Sequence, residues 1–375
     1  MIESFISQSE FLQTVHDWLL EQVAPQSMQL DTEPDALLNA FKGLGEQGWL
    51  ALRAPHKKSG TTVDSATYFG FQFLLARYSG ALAFLQTQHQ SAAGFIAGGT
   101  NSHLKATYLS AMATGQHRVG IGYSHLRRPV SPLHAVPDSD GYRVTGDIPW
   151  VTGEGFFEEC VIAATLPSGD VILGVIPLVE HFSSESETRD SLQQGSLVIS
   201  DPMPLMVMDV THTVRVALNH WFIPARHVVD IKSANWLPMR DRQNVLKAAS
   251  FALGCAQAGL DLITDAIDRK GWRSLTPYRN QLQQAVDTCF TSCIQRLGQS
   301  SLAEPEVEYR RQLRAQAVDL AGRCAQGAIA TVGGASNLLH HPAQRVYREA
   351  LMFTVTGQTP DVAQAILAQL ANREP

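Results

Sequence analysis

A change of periodicity near Arg118, and its reversal near Asp241, limits what this chain can fold into more than any other feature. From Phe5 to about Gly115 apolar residues recur at helical spacing. Phe5, Phe11, Leu12, Val15, Leu19 and Val23 form one stripe, which Pro25 ends. Further helices are expected over 35–47, over 66–78 behind an N-cap at Asp64, over 81–97 and over 103–113, with glycines as stops. After Arg118 the texture becomes short β-type runs at 119–123, 142–145, 160–164, 171–177, 196–200 and 213–218, punctuated by Pro, Gly, Asp and Ser. With no helix between them, these runs predict an antiparallel barrel or sandwich. From Asp241 the helical pattern returns over 245–268, 277–297, 304–331, 342–352 and 360–370. The first of these is rich in Ala and Gly, as close helix packing requires. The expected fold is a multidomain α+β chain: an N-terminal α-helical domain (1–117), a middle antiparallel β-barrel or sandwich domain (118–234) and a C-terminal four-helix bundle (235–375).

Charge and motifs remove several function classes. The net charge of −6 provides no basic footprint for nucleic acid or an anionic membrane surface. No apolar run approaches the ~18 residues that a membrane helix needs. The start, MIESFISQSEFLQ, carries acids and lacks a secretory pattern, and the five scattered cysteines read as small core residues, so a cytoplasmic protein is expected. Gly120-Ile121-Gly122 opens a GxG motif, but His125 holds the third glycine position and no strand–helix–strand unit surrounds it. Ser124 lacks the final glycine of a nucleophile elbow. His340-His341 has no carboxylate at metal-ligand spacing and reads as a helix-start loop, so no metal site is expected.

The stretch DGYRVTGDIPWVTGEG, from Asp140 to Gly155, carries the most chemistry. It begins as an alternating strand opened by an Asp-Gly turn. Trp150 and Thr152, two residues apart on a strand, point to the same face. A flat indole beside a hydroxyl makes a wall for a planar, hydrogen-bonding ring system.

Helical, then β, then helical, with these residues at the junctions, the whole chain resembles the acyl-CoA dehydrogenase/oxidase flavoprotein superfamily. The resemblance implies FAD as cofactor and an acyl-CoA or related small-molecule substrate oxidised at a CH–CH bond. It also implies a homodimer or homotetramer that builds the cofactor site between subunits. Tyr123 and Ser124 stand where the family contacts the flavin after the first helical domain, and PWVTG supplies the Trp-x-Thr as Trp150 and Thr152. The family's spacing from a Gly-Gly pair through an Arg-Asp-Ala to a Glu-Gly-Thr is matched by Gly333-Gly334, Arg348-Glu349-Ala350 and Thr359. Gly333 and Gly334 would approach a neighbouring subunit's flavin nucleotide, Thr359 would contact the cofactor near its diphosphate, and Arg273 would pair with that diphosphate.

The resemblance breaks at the catalytic base, which takes the substrate's α-proton while a hydride leaves the β-carbon. The two family positions for its Glu fall on Gly357 and Asn244. Asp241, three residues before Asn244, is the nearest carboxylate, and helix capping is its expected role. The basic loop HLRRPVSP also replaces the family's acidic, glycine-rich segment after Ser124. His89, His125, Arg127 and Arg128 are polar residues in this region, expected at the surface. Two alternatives therefore stand beside the dehydrogenase. One is a flavin-dependent monooxygenase that uses reduced FMN or FAD as cosubstrate on the same fold. The other is a catalytically silent flavin- or acyl-binding protein.

Overall fold

The N-terminal stripe breaks in two. Ser9 accepts a hydrogen bond from the Leu12 N–H at 3.3 Å, so the chain restarts as α2 (Glu10–Gln22) after α1 (Ile2–Ser7). The computed structural model describes residues 1–54, 62–179, 194–299 and 303–372. α3 (Pro34–Glu46), α4 (Ser65–Tyr78), α5 (Gly80–Gly98) and α6 (Ser102–Ala113) follow the expected pattern within a residue or two. Asp64 caps α4 as predicted, accepting from Thr67 N–H at 2.7 Å.

The middle of the chain forms one sheet from β1 (Val119–Gly122), β2 (Leu133–Asp138), β3 (Gly141–Thr152), β4 (Glu159–Thr165), β5 (Val171–Pro177), β6 (Ser196–Ile199), β7 (Thr213–Pro224) and β8 (Val228–Lys232). The order is β6-β7-β3-β2-β4-β5-β8, with β1 on β4. The sheet is mixed, not purely antiparallel: β1 runs parallel to β4, and β2 meets β4 in parallel at His134–Thr165. The chain enters β1 from a helix, so no hairpin fixes its direction.

β2 and β8 were absent from the sequence expectation, β2 because Pro137 interrupts a short run. β3, at 12 residues, is three times as long as the expected run at 142–145. Gly146, at φ +127, lets the strand bulge and continue where a Cβ would lie 1.9 Å from Pro132 O. The hairpin before it is shifted by one residue from the expected Asp-Gly turn. Asp138 pairs with Gly141, leaving Ser139 (φ +46) and Asp140 in the turn.

The C-terminal helices are α7 (Trp236–Asn244), α8 (Ala249–Lys270), α9 (Thr276–Leu297), α10 (Glu304–Val332), α11 (Pro342–Val355) and α12 (Pro360–Ala371). The small residues of α8 do what their composition implied. A Cβ on Gly254 would lie 2.3 Å from Phe73 O of α4, and one on Gly259 would lie 2.8 Å from the Cys324 carbonyl of α10. All five cysteines are buried and free. Glu349 of α11 is buried and accepts from Gly80 N–H at 2.9 Å and Arg345 Nη1 at 2.7 Å. Burial raises its pKa. It locks the start of α5 onto the C-terminal helices. His341 caps α11 through Nδ1, which fits its reading as a helix-start residue. Among the described residues no helix is long and apolar enough to cross a membrane.

Candidate functional site

Three segments converge on a cavity of about 990 Å³: α5, the loop and strand ends of the sheet, and the turns at both ends of the C-terminal helices. From the sheet come Tyr123, Ser124, Trp150, Thr152 and Thr213. Trp150 lies at a second register shift of β3, between Ile148 and Val151, and it lines the cavity with Thr152, so a bulge and not plain alternation brings the two together. Trp150 is 50% exposed although it stands at the cavity, so one large indole surface is uncovered. Thr152 is buried, and its hydroxyl meets the Thr213 hydroxyl at 3.0 Å. One hydroxyl of this pair donates to the other, which leaves one O–H to donate elsewhere. Tyr123 packs edge-on against Phe95 and lies under the Arg127 guanidinium.

The C-terminal helices supply Asp241, Asn244, Arg314, Gly357 and Thr359. Thr359 caps α12, accepting from Val362 N–H at 3.3 Å. Gly357 sits in the turn before α12 at φ +61. That turn is held by Arg314, which is buried within α10. Its guanidinium donates to the Gly357 carbonyl at 3.3 Å and to the Thr356 carbonyl. Burial first, and Arg127 next, lower the Arg314 pKa to about 10. A guanidinium therefore faces the backbone at one of the two places where the sequence resemblance calls for a carboxylate.

Among the described residues only Asp241 and Asp361 bring carboxylates to the cavity wall, and both are occupied. Asp241 does not cap a helix as expected. It lies inside α7, and Arg127 takes both its oxygens at 2.8 and 2.6 Å. Asp361 accepts from Arg311 at 2.6 Å. Against these two acids stand six basic lining residues, so the cavity is electropositive in a chain of net charge −6.

Three of the four polar residues expected at the surface are not there. His89 and His125 are buried, bonded to backbone carbonyls and held neutral, with pKa values lowered to about 4 chiefly by burial. Arg127 is spoken for by Asp241, and only Arg128 is exposed. Arg273, Gly333 and Gly334 do not line the cavity. They gather at the far end of the helical bundle, where Lys270 Nζ staples α8 to α10 through the Thr331 and Val332 carbonyls at 2.7 and 2.9 Å.

Sequence reasoning missed Arg314, Thr213 and a polar stripe on α5. Thr87, Gln88 and Ser91 line the cavity with Phe84. Their spacing puts them on one face of a helix that otherwise reads as apolar all round. That interruption was the available signal.

A family model for the acyl-CoA dehydrogenase N-terminal domain matches residues 7–116. A Bacillus subtilis protein named as a probable acyl-CoA dehydrogenase is 19% identical over 375 residues, covering 95% of each chain. The solved structure of butyryl-CoA dehydrogenase from Megasphaera elsdenii superposes with a TM-score of 0.76 at 15% identity, covering 97% of both chains. KijD3, solved in complex with FMN and a dTDP-amino-keto sugar, superposes with a TM-score of 0.73 at 17% identity, over 97% of this chain and 94% of that one.

Proposed function

We propose that this chain, which belongs to the acyl-CoA dehydrogenase-like superfamily, is a flavin-dependent oxidoreductase that binds FAD and an acyl-CoA or related substrate in the cavity. The observation that carries this reading is the convergence of Tyr123, Ser124, Trp150, Thr152 and Thr359 on one cavity. The residues suit a flavin: the uncovered Trp150 indole offers a flat apolar face, and the Thr152–Thr213 pair keeps one hydroxyl donor. When bound, the flavin supplies a two-electron acceptor.

The chain's own residues orient and enclose. Trp150 and Tyr123 exclude water from one side. The Arg127–Asp241 pair ties the loop after β1 to α7, and Arg314 fixes the turn at Gly357. Arg273, Gly333 and Gly334 are assigned to the cofactor of a second copy, in a homodimer or homotetramer. Trp272, Leu338 and Leu339 beside them are 45%, 50% and 78% exposed, as an unfilled subunit contact would leave them.

No carboxylate is free to act as base at either family position, since Asn244 and Gly357 hold none and both lining acids are ion-paired. This favours one second reading, a flavin-dependent monooxygenase on the same fold. The visible spectrum of the purified protein tests both. A yellow protein bleached anaerobically by an acyl-CoA supports the dehydrogenase. A colourless protein that binds reduced flavin and consumes oxygen supports the monooxygenase. Absence of flavin binding in either redox state overturns both.

A further inference from the structure

The cationic lining of the cavity is unevenly compensated. Arg127 pairs with Asp241, Arg242 with Glu304, Arg311 with Glu304 and Asp361, and Arg314 with backbone carbonyls. Lys247, in the turn between α7 and α8, is different. It is exposed, and it lines the main cavity and also a second one of about 290 Å³. Its ammonium has no hydrogen-bond or ion-pair partner among the described residues. The two cations that act on it most, Arg240 and Arg53, have no carboxylate partner among the described residues. Arg240 lies over the Phe95 and Trp236 rings at 4.4 and 5.7 Å. Arg53 donates to the Ser65 hydroxyl at 2.8 Å and lies over the Tyr68 ring. Burial, then Arg240 and Arg53, push the Lys247 pKa down to about 8. An anion brought beside it would reverse that shift and offset the desolvation of the cluster. The cavity also carries the α5 face with Gln88 and Ser91, which offers hydrogen bonds where a hydrocarbon chain would need apolar contacts.

We propose that Lys247 anchors a carboxylate carried on the acyl portion of the ligand, in a cavity that Gln88 and Ser91 also line. The substrate class is then a carboxyacyl compound and not a simple fatty acyl chain. The thioester part of this statement rests on the functional reading above; the anion-binding role of Lys247 does not.

The test is binding to the flavin-loaded protein, read by calorimetry with succinyl-CoA, butyryl-CoA, free succinate and inorganic phosphate. The two thioesters have equal carbon number and differ in a terminal carboxylate. Wild type is expected to bind succinyl-CoA at least about tenfold more tightly than butyryl-CoA. Lys247→Gln should erase that preference, and Lys247→Arg, which keeps the charge, should retain most of it. Equal affinities in wild type, or a preference that survives Lys247→Gln, would overturn the proposal, and the wild-type comparison stands even if a variant does not fold. Phosphate binding that requires Lys247, without any preference for succinyl-CoA, overturns it in favour of an inorganic anion site. If neither thioester binds, the acyl-CoA reading fails. The anchor is then decided by free succinate: Lys247-dependent binding supports it, and no binding ends it.

Discussion

Arg127 holds both carboxylate oxygens of Asp241 at 2.8 and 2.6 Å, joining the loop after β1 to α7 across the cavity wall. Each side chain is about four-fifths buried, at 21% exposure, so removing one partner leaves a largely desolvated charge. Asp241→Asn is expected to lose about 1–3 kcal/mol of stability. Arg127→Met combined with Asp241→Asn should recover part of it, and a double-mutant cycle by chemical denaturation measures the coupling. If Asp241 were instead the proton acceptor, Asp241→Asn would abolish turnover at unchanged stability.

Gly357 offers a gain-of-function prediction. Its neighbourhood is open, with Arg314 Nη1 3.9 Å from where a Cβ would sit. At φ +61, Gly357→Glu should cost about 1–2 kcal/mol of stability. It also places a carboxylate where the superfamily resemblance expects one. Anaerobic flavin reduction by an acyl-CoA should be faster in this variant than in wild type by about a hundredfold, the low end for a positioned general base. Stopped-flow absorbance reads the rate, and equal rates would show that wild type already has its base.

The buried histidines set an acid limit. His89 and His125 have folded pKa values near 4, against 6.5 for the unfolded side chain. Below 6.5 the unfolded chain binds protons that the folded chain refuses. The stability held by the neutral rings is therefore complete above pH 6.5 and is lost as pH falls toward 4. Thermal melting over pH 7 to 4 should show a decline, shallower in His125→Gln. His125 is the better choice because His89 uses both ring nitrogens on backbone groups, whereas His125 uses only Nε2.

Gly254 tests the helix contact that carries α8 against α4. A Cβ there would meet Phe73 O at 2.3 Å and Ala76 Cβ at 2.8 Å, and two helix backbones cannot easily separate locally. Gly254→Ala is expected to destabilise by about 1–3 kcal/mol, even though alanine favours the helix itself. Urea denaturation gives the value, and a neutral or stabilising result would mean that the helices lie farther apart.

The helical parts and their order were legible because amphipathic stripes and caps are local signals. Asp64 and Ser9 illustrate the limit, since the first was anticipated as a cap and the second was not. Trp150 and Thr152 were legible as neighbours in one strand, while the register shift between Ile148 and Val151 that sets the side of Trp150 was not. The parallel placement of β1 was not, because nothing in Val119–Gly122 records its partner on a distant strand. The same holds for charges. The partner of Asp241 is Arg127, over a hundred residues away, and nothing local in α10 records that Arg314 faces Gly357. Arg273, Gly333 and Gly334 lie away from the cavity of their own chain, so their assignment depends on a second copy.

Trp150 and Thr152 are proposed as part of the wall of a flavin site. Titration of the purified protein with FAD, followed by flavin absorbance and tryptophan fluorescence, decides whether they are. Saturable binding is predicted, weakened about tenfold or more in Trp150→Ala, the loss expected when one aromatic face is removed from a buried ring contact. The opposite result would be FAD affinity unchanged by Trp150→Ala, or no binding of oxidised or reduced flavin by the wild-type protein.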